Sequence, residues 1–140
     1  GYHVHFKGHD HLLSRPVIFL NKGFGITPME QGLRVVGTVE FGGLDNALSK
    51  GRILNLVNNA KYLLPELSDH CDEWLGFRPS LPDFLPVMGP SKKYKNLFYS
   101  FGHHHLGWTL GAISGKIVAG MIAGENINLD LSPYSSLRFS

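Results

Sequence analysis

Cysteine is nearly missing from this 140-residue chain, since Cys71 stands alone. No intramolecular disulfide can form, and a reducing compartment fits best. Charge is also scarce. Thirteen Lys and Arg against eleven Asp and Glu leave a net +2, scattered along the chain rather than gathered into a stripe, which argues against nucleic acid as a partner. No secretory signal is visible. Gly1-Tyr2-His3-Val4 is polar and reads as the middle of a strand, so the chain is taken as a piece of something longer. There is no repeat and no low-complexity tract, and the length allows about one domain. A single stretch, Leu106 to Gly124, approaches bilayer length with a Gly-x-x-x-Gly spacing. Lys116 in its middle would cost about 2.5–3.5 kcal/mol in a membrane, so a soluble helix packed on a sheet is the preferred reading.

What is present is a mixture of short strands and two helices. Tyr2–Phe6 alternates as a strand. Gly25-Ile26-Thr27-Pro28-Met29 and Leu33 to Glu40, joined by a short glycine-containing turn, make a hairpin, with Pro28 suggesting an edge or a break. Ser49–Leu64 carries Ile53, Leu54, Val57, Ala60, Leu63 and Leu64 at helical spacing and stops at Pro65. The prolines from Pro79 to Pro90 imply an extended crossing. Leu97-Phe98-Tyr99-Ser100-Phe101 is a strand running into Gly102-His103-His104-His105-Leu106-Gly107-Trp108-Thr109, a glycine-lined turn, and then a small-residue helix to Ala123. Such a turn aims backbone N–H groups and a positive helix end at an anionic group. Gly107, Gly111 and Gly115 form a ridge open to close approach. The fold class is α+β: residues 1–80 form a hairpin-rich sheet with a helix, and residues 81–140 add a strand–helix unit of the kind found in α/β sheets.

Among candidate site residues, Arg78 stands out, set between Phe77 and Pro79 and just after Trp74-Leu75. Its planar fork suits a carboxylate; the bland alternative is an ion pair with Asp72, Glu73 or Asp83. The histidines His3, His5, His9, His11 and His103–His105 allow a metal site, against the commoner reading of surface or hydrogen-bonded rings. Two phosphate-loop look-alikes fail: Gly23-Phe24-Gly25 has Pro28 where the third glycine belongs, and Gly111–Lys116 is one residue short of a P-loop. Cys71 lies among Asp69, Asp72 and Glu73, which disfavours its thiolate. Asp83 reads as a turn or capping carboxylate.

Trp74-Leu75-Gly76-Phe77-Arg78-Pro79-Ser80-Leu81-Pro82-Asp83, then Pro86-Val87-Met88-Gly89, Leu97-Phe98-Tyr99, and Gly102-His103 with Leu106-Gly107 together resemble the C-terminal portion of the FAD-dependent D-amino-acid oxidase and dehydrogenase family, nearest its bacterial dehydrogenase branch. Thr27-Pro28-Met29-Glu30 to Phe41 is similar to the same branch. The resemblance implies FAD as cofactor, with the Gly-rich N-terminal part that binds its ADP half absent from this sequence. It implies that Arg78 grips the carboxylate of a D-amino acid and that His105 lines the substrate cavity. Gly102, His103, His104, Leu106, Gly107, Trp108 and Thr109 would pass the flavin ring. The branch commonly has glycine where this chain has His104. No catalytic acid–base residue and no metal are implied. The expected reaction is hydride transfer from D-amino acid to FAD, giving a 2-oxo acid and ammonia, with a quinone as electron acceptor and a cytoplasmic, membrane-peripheral location. Glycine, sarcosine or hydroxyproline are alternative substrates, and a non-enzymatic module with a histidine metal site is another. The chain by itself is expected to be inactive, not to retain FAD, and to self-associate.

Overall fold

The computed structural model describes residues Gly1–Phe139. The chain divides into two compact units, Gly1–Phe77 and a second that begins at Arg78.

The first unit is a five-stranded antiparallel sheet with one helix. Its strands are β1 (Tyr2–Phe6), β2 (Val17–Phe19), β3 (Phe24–Met29), β4 (Gly32–Gly37) and β5 (Cys71–Leu75), in the order β2-β3-β4-β1-β5. Alternation along β1 sends Tyr2, Val4 and Phe6 to one face. There they join Phe24, Ile26, Leu33 and Val35 beneath helix α1 (Lys50–Leu63). Each such fully buried side chain contributes about 1.5–3 kcal/mol. Gly32 turns β3 into β4 at φ +117°, and a Cβ there would collide with the Phe6 carbonyl oxygen. Only glycine serves at that position.

Two details differ from the expected pattern. On α1 the buried stripe is Ile53, Leu56, Val57 and Ala60, whereas Leu54 is 57% exposed. Leu56 completes the inward stripe one turn after Ile53, and Leu54 points outward. Pro28 sits inside the sheet order, but β2 pairs only with Phe24, Gly25 and Ile26. The Thr27–Met29 end of β3 therefore has a free edge, where the missing Pro28 N–H costs no ladder bond.

The second unit contains the antiparallel pair β6 (Val87–Pro90) and β7 (Phe98–Phe101), helix α2 (Gly107–Ala123) and a tail with short 3₁₀ turns. The run from Pro79 to Pro90 is not extended throughout. A turn closes with the Phe84 N–H donating to Leu81 O at 3.0 Å, Phe84 lies at φ +60°, and β6 then pairs with β7. On α2 only Ser114, Ile117 and Gly120 are buried, a narrow stripe. A Cβ at Gly111 or Gly115 would meet nothing within 4 Å, so the glycine ridge is open. By length and composition alone the helical run His104–Ala123 could cross a membrane. It nonetheless packs on β6 and β7.

Candidate functional site

The site begins with an unpaired cation. Arg78 is exposed, and its guanidinium makes no ion pair among the described residues. The three acids that lie near it in sequence have other partners. Glu73 bonds Lys50 Nζ at 2.6 Å and His70 at 3.0 Å, and these two hold its carboxyl below the usual range. Asp72 accepts from the Cys71 thiol at 3.3 Å and pairs with Lys7 at 3.7 Å, which lowers its pKa in that order of importance. Asp83 takes a forked pair from Arg138, Nε to Oδ2 at 2.5 Å and a terminal nitrogen to Oδ1 at 3.2 Å, and that pairing depresses its carboxyl. Asp83 also caps its own turn by accepting from the Leu85 N–H at 3.1 Å. The bland alternative for Arg78, a local ion pair, is thereby removed.

The segment that follows Arg78 packs on the glycine-lined turn within the same unit. Ser80 Oγ lies 3.1 Å from His104 Nδ1 and donates to the Arg78 carbonyl at 3.4 Å. The Phe84 ring sits 4.8 Å from the His104 ring. Gly102, at φ +78°, lies so close to Leu81 that a Cβ would come within 2.5 Å of its Cδ1. His104 itself adopts φ +53°, a left-handed conformation that costs a side-chain-bearing residue on the order of 1–2 kcal/mol. Its Nε2 is buried without a partner.

The other turn residues divide by exposure. His103 Nε2 is 2.9 Å from Ser114 Oγ on α2, so this ring ties the turn to the helix. His105, Leu106, Gly107, Trp108 and Thr109 are exposed, and Trp108 is completely so at 101%. A 3₁₀ turn at His104–Leu106 leads directly into α2, with no side-chain cap and no acidic residue in the first turn of either. Helix α2 thus begins at Gly107, where the sequence places it, and the 3₁₀ turn leading into it sets the three-histidine corner beside its positive end.

Histidines elsewhere have mundane partners. His3 stacks on Trp74 with centroids 4.7 Å apart. His5 Nε2 accepts from Arg34 Nε at 3.0 Å, and His9 bonds Ser68 at 2.9 Å. Burial, then the Arg34 charge, lowers the pKa of both His3 and His5. Among the described residues no group of three or more His, Cys, Asp or Glu is placed to hold a metal ion. Partial burial, then Asp72, pushes the Cys71 thiol up, away from nucleophilic use.

Sequence reasoning missed Ser80, Phe84, Ser114 and Arg138. Only Ser80 carried a signal, its place two residues after Arg78. The others act across separations that no local spacing reveals.

The sequence model of the FAD dependent oxidoreductase family (DAO) matches residues 1–121. The chain belongs to this family. A D-amino acid dehydrogenase of Granulibacter bethesdensis is 37% identical over 117 residues, 82% of this chain and 28% of the relative. A D-amino-acid oxidase of Bradyrhizobium diazoefficiens is 31% identical over 144 residues, 99% of this chain and 34% of the relative. The chain thus spans about a third of the length of the curated relatives it matches. The structure of glycine oxidase from Geobacillus kaustophilus superposes with TM-score 0.84 at 30% identity, over 96% of this chain and 37% of that one.

FAD is the cofactor of this DAO family, and the turn has the features such a ring system needs. The helix end is uncapped and free of acids. His105, Leu106, Gly107, Trp108 and Thr109 are exposed, and a Cβ at Gly111 or Gly115 would meet nothing within 4 Å, so the backbone there is open to close approach. These residues fit a flavin rim, which carries hydrogen-bonding groups and accumulates negative charge on reduction.

Proposed function

We propose that this DAO chain supplies the carboxylate-gripping and ring-facing part of an FAD-dependent D-amino-acid dehydrogenase, oxidising a D-amino acid to an imino acid that water converts to a 2-oxo acid and ammonia. The unpaired guanidinium of Arg78 carries the reading: a cation that leaves three neighbouring acids to other partners is free to take a bidentate carboxylate from outside. FAD, when bound, supplies the two-electron acceptor. Arg78 fixes the substrate by its acid end, His105 stands exposed to line the amino-acid side chain, and the helix end at His104–Leu106 stabilises negative charge on the ring edge. Gly102, His103, His104, Leu106, Gly107, Trp108 and Thr109 form the ring-facing turn. A substrate with a neutral amine needs no acid–base side chain.

The electron acceptor in this reading is a quinone, and the protein is cytoplasmic and peripheral to the membrane. The Gly-rich strand–turn–helix that holds the ADP half of FAD is not in this sequence, so the chain by itself is inactive and does not retain flavin. Its exposed Ile113, Ile122 and Trp108 on α2 favour self-association when the flavin-binding part is not there to cover them. A second reading, glycine or a secondary amine such as sarcosine or hydroxyproline as substrate, draws on the similarity to glycine oxidase.

The test is Arg78→Ala in the full-length flavoprotein. Loss of a charge-assisted pair is worth on the order of 3 kcal/mol, so kcat/KM for the preferred D-amino acid should fall about a hundredfold. An unchanged kcat/KM would remove the assignment. A substrate panel including glycine and sarcosine separates the two readings.

A further inference from the structure

We propose that His104 is a positioning residue for the substrate carboxylate, acting through Ser80 on Arg78. This rests on the reading of Arg78 given above. The imidazole is joined to the Arg78 backbone by a chain of two hydrogen bonds. Ser80 Oγ donates to the Arg78 carbonyl at 3.4 Å, so its lone pair faces His104 Nδ1 at 3.1 Å. That assignment puts the proton on Nδ1 and leaves Nε2 bare.

Two unfavourable features accompany this arrangement. His104 occupies a left-handed backbone conformation at φ +53°, and its Nε2 is buried with no partner. Neither benefits the fold of the turn, because glycine would relieve both at once. What glycine could not do is reach Ser80. The Nδ1–Ser80 bond and the contact with Phe84 at 4.8 Å are what the side chain adds, and both go to the segment that follows Arg78. Strained backbone and an unsatisfied nitrogen held against a segment bearing an unpaired cation point to a functional constraint on that segment. Pro79 transmits it: its ring fixes φ between Arg78 and Ser80, so anchoring Ser80 limits where the Arg78 backbone can stand. Leu81 against Gly102 and the Asp83–Arg138 pair hold the segment further along, and Ser80 is the anchor next to the guanidinium.

The experiment is a double-mutant cycle in the full-length flavoprotein, read by the KM and kcat for the preferred D-amino acid and by the Kd of acetate, measured from the shift of the flavin absorption spectrum. His104→Gly and Ser80→Ala should each raise KM and the acetate Kd about tenfold, and the double variant should be no worse than either single. His104→Asn should restore both constants, because asparagine tolerates the left-handed region and its side-chain amide can replace Nδ1. Thermal midpoints are recorded for every variant. A purely structural role would make His104→Gly neutral in KM and Kd, and that result would overturn the proposal. So would effects that multiply in the double variant. Arg78→Ala separates this inference from its foundation. If it leaves acetate binding intact, the reading of Arg78 fails; if it abolishes binding while the His104 and Ser80 variants bind normally, the clasp alone fails.

Discussion

The two units differ in the size of the apolar core each builds. In the first, Val4, Phe6, Leu33, Val35 and Leu56 are almost wholly inaccessible and form one cluster with α1. In the second, Val87, Met88 and Ile117 are the buried hydrophobic residues, while Leu106, Trp108, Ile113, Ile122, Leu129 and Phe139 stay open to solvent. Sheet and helix in the first unit build that cluster together, while Ile18, Leu20, Phe41 and Leu44 stay exposed. The second unit holds its turn by specific contacts instead: His103 to Ser114, His104 to Ser80, Arg138 to Asp83. These polar ties keep the Arg78 segment and the glycine-lined turn together.

Truncation should expose this contrast most strongly. Leu33→Ala empties a site in a closed core and should cost about 2–5 kcal/mol, whereas Ile113→Ala, 47% exposed, should stay within about 0.5 kcal/mol. Chemical denaturation of both variants measures the difference, and equal losses would erase the distinction between the units. Gly102→Ala comes next. Its positive φ and the nearness of Leu81 should make this small change cost about 1–3 kcal/mol, seen as a lowered thermal midpoint, and should displace amide resonances of residues 80–84. The smallest effect is one of pH on the first unit. Burial, then Arg34, holds the His5 pKa below its ordinary 6.5, so the folded state prefers the neutral ring. That stability is complete above pH 6.5 and declines as the pH falls through 6.5 toward the folded value. His5→Phe should flatten the decline between pH 7 and pH 5, and an unaltered slope would assign it elsewhere.

Much of the local architecture could be read from the chain. The β3–β4 hairpin follows from alternating apolar residues around a glycine turn, and α1 from spacing that ends at Pro65. The strand before Gly102 was equally plain. What escaped was set by partners distant in sequence. Lys50 reaches Glu73 and Arg138 reaches Asp83, and those pairings are why Arg78 is left free. No window of local spacing contains both members. Prolines concealed β6, which exists because β7 pairs with it. The inward turn of Leu56 in place of Leu54 reflects a helix whose phase is decided by the sheet beneath. His104 could be noted as an unusual side chain in a glycine-rich turn, but its link to Ser80 needs the folded turn to be seen.

Anaerobic titration of the full-length flavoprotein with a D-amino acid tests most directly the proposal that Arg78 and the three-histidine turn serve its flavin-linked oxidation. The expected result is loss of the visible flavin band with the D-isomer, little loss with the L-isomer, and none with the D-isomer at the same concentration in Arg78→Ala. An unchanged band in the parent protein, or equal bleaching in the Arg78 variant, would contradict the account.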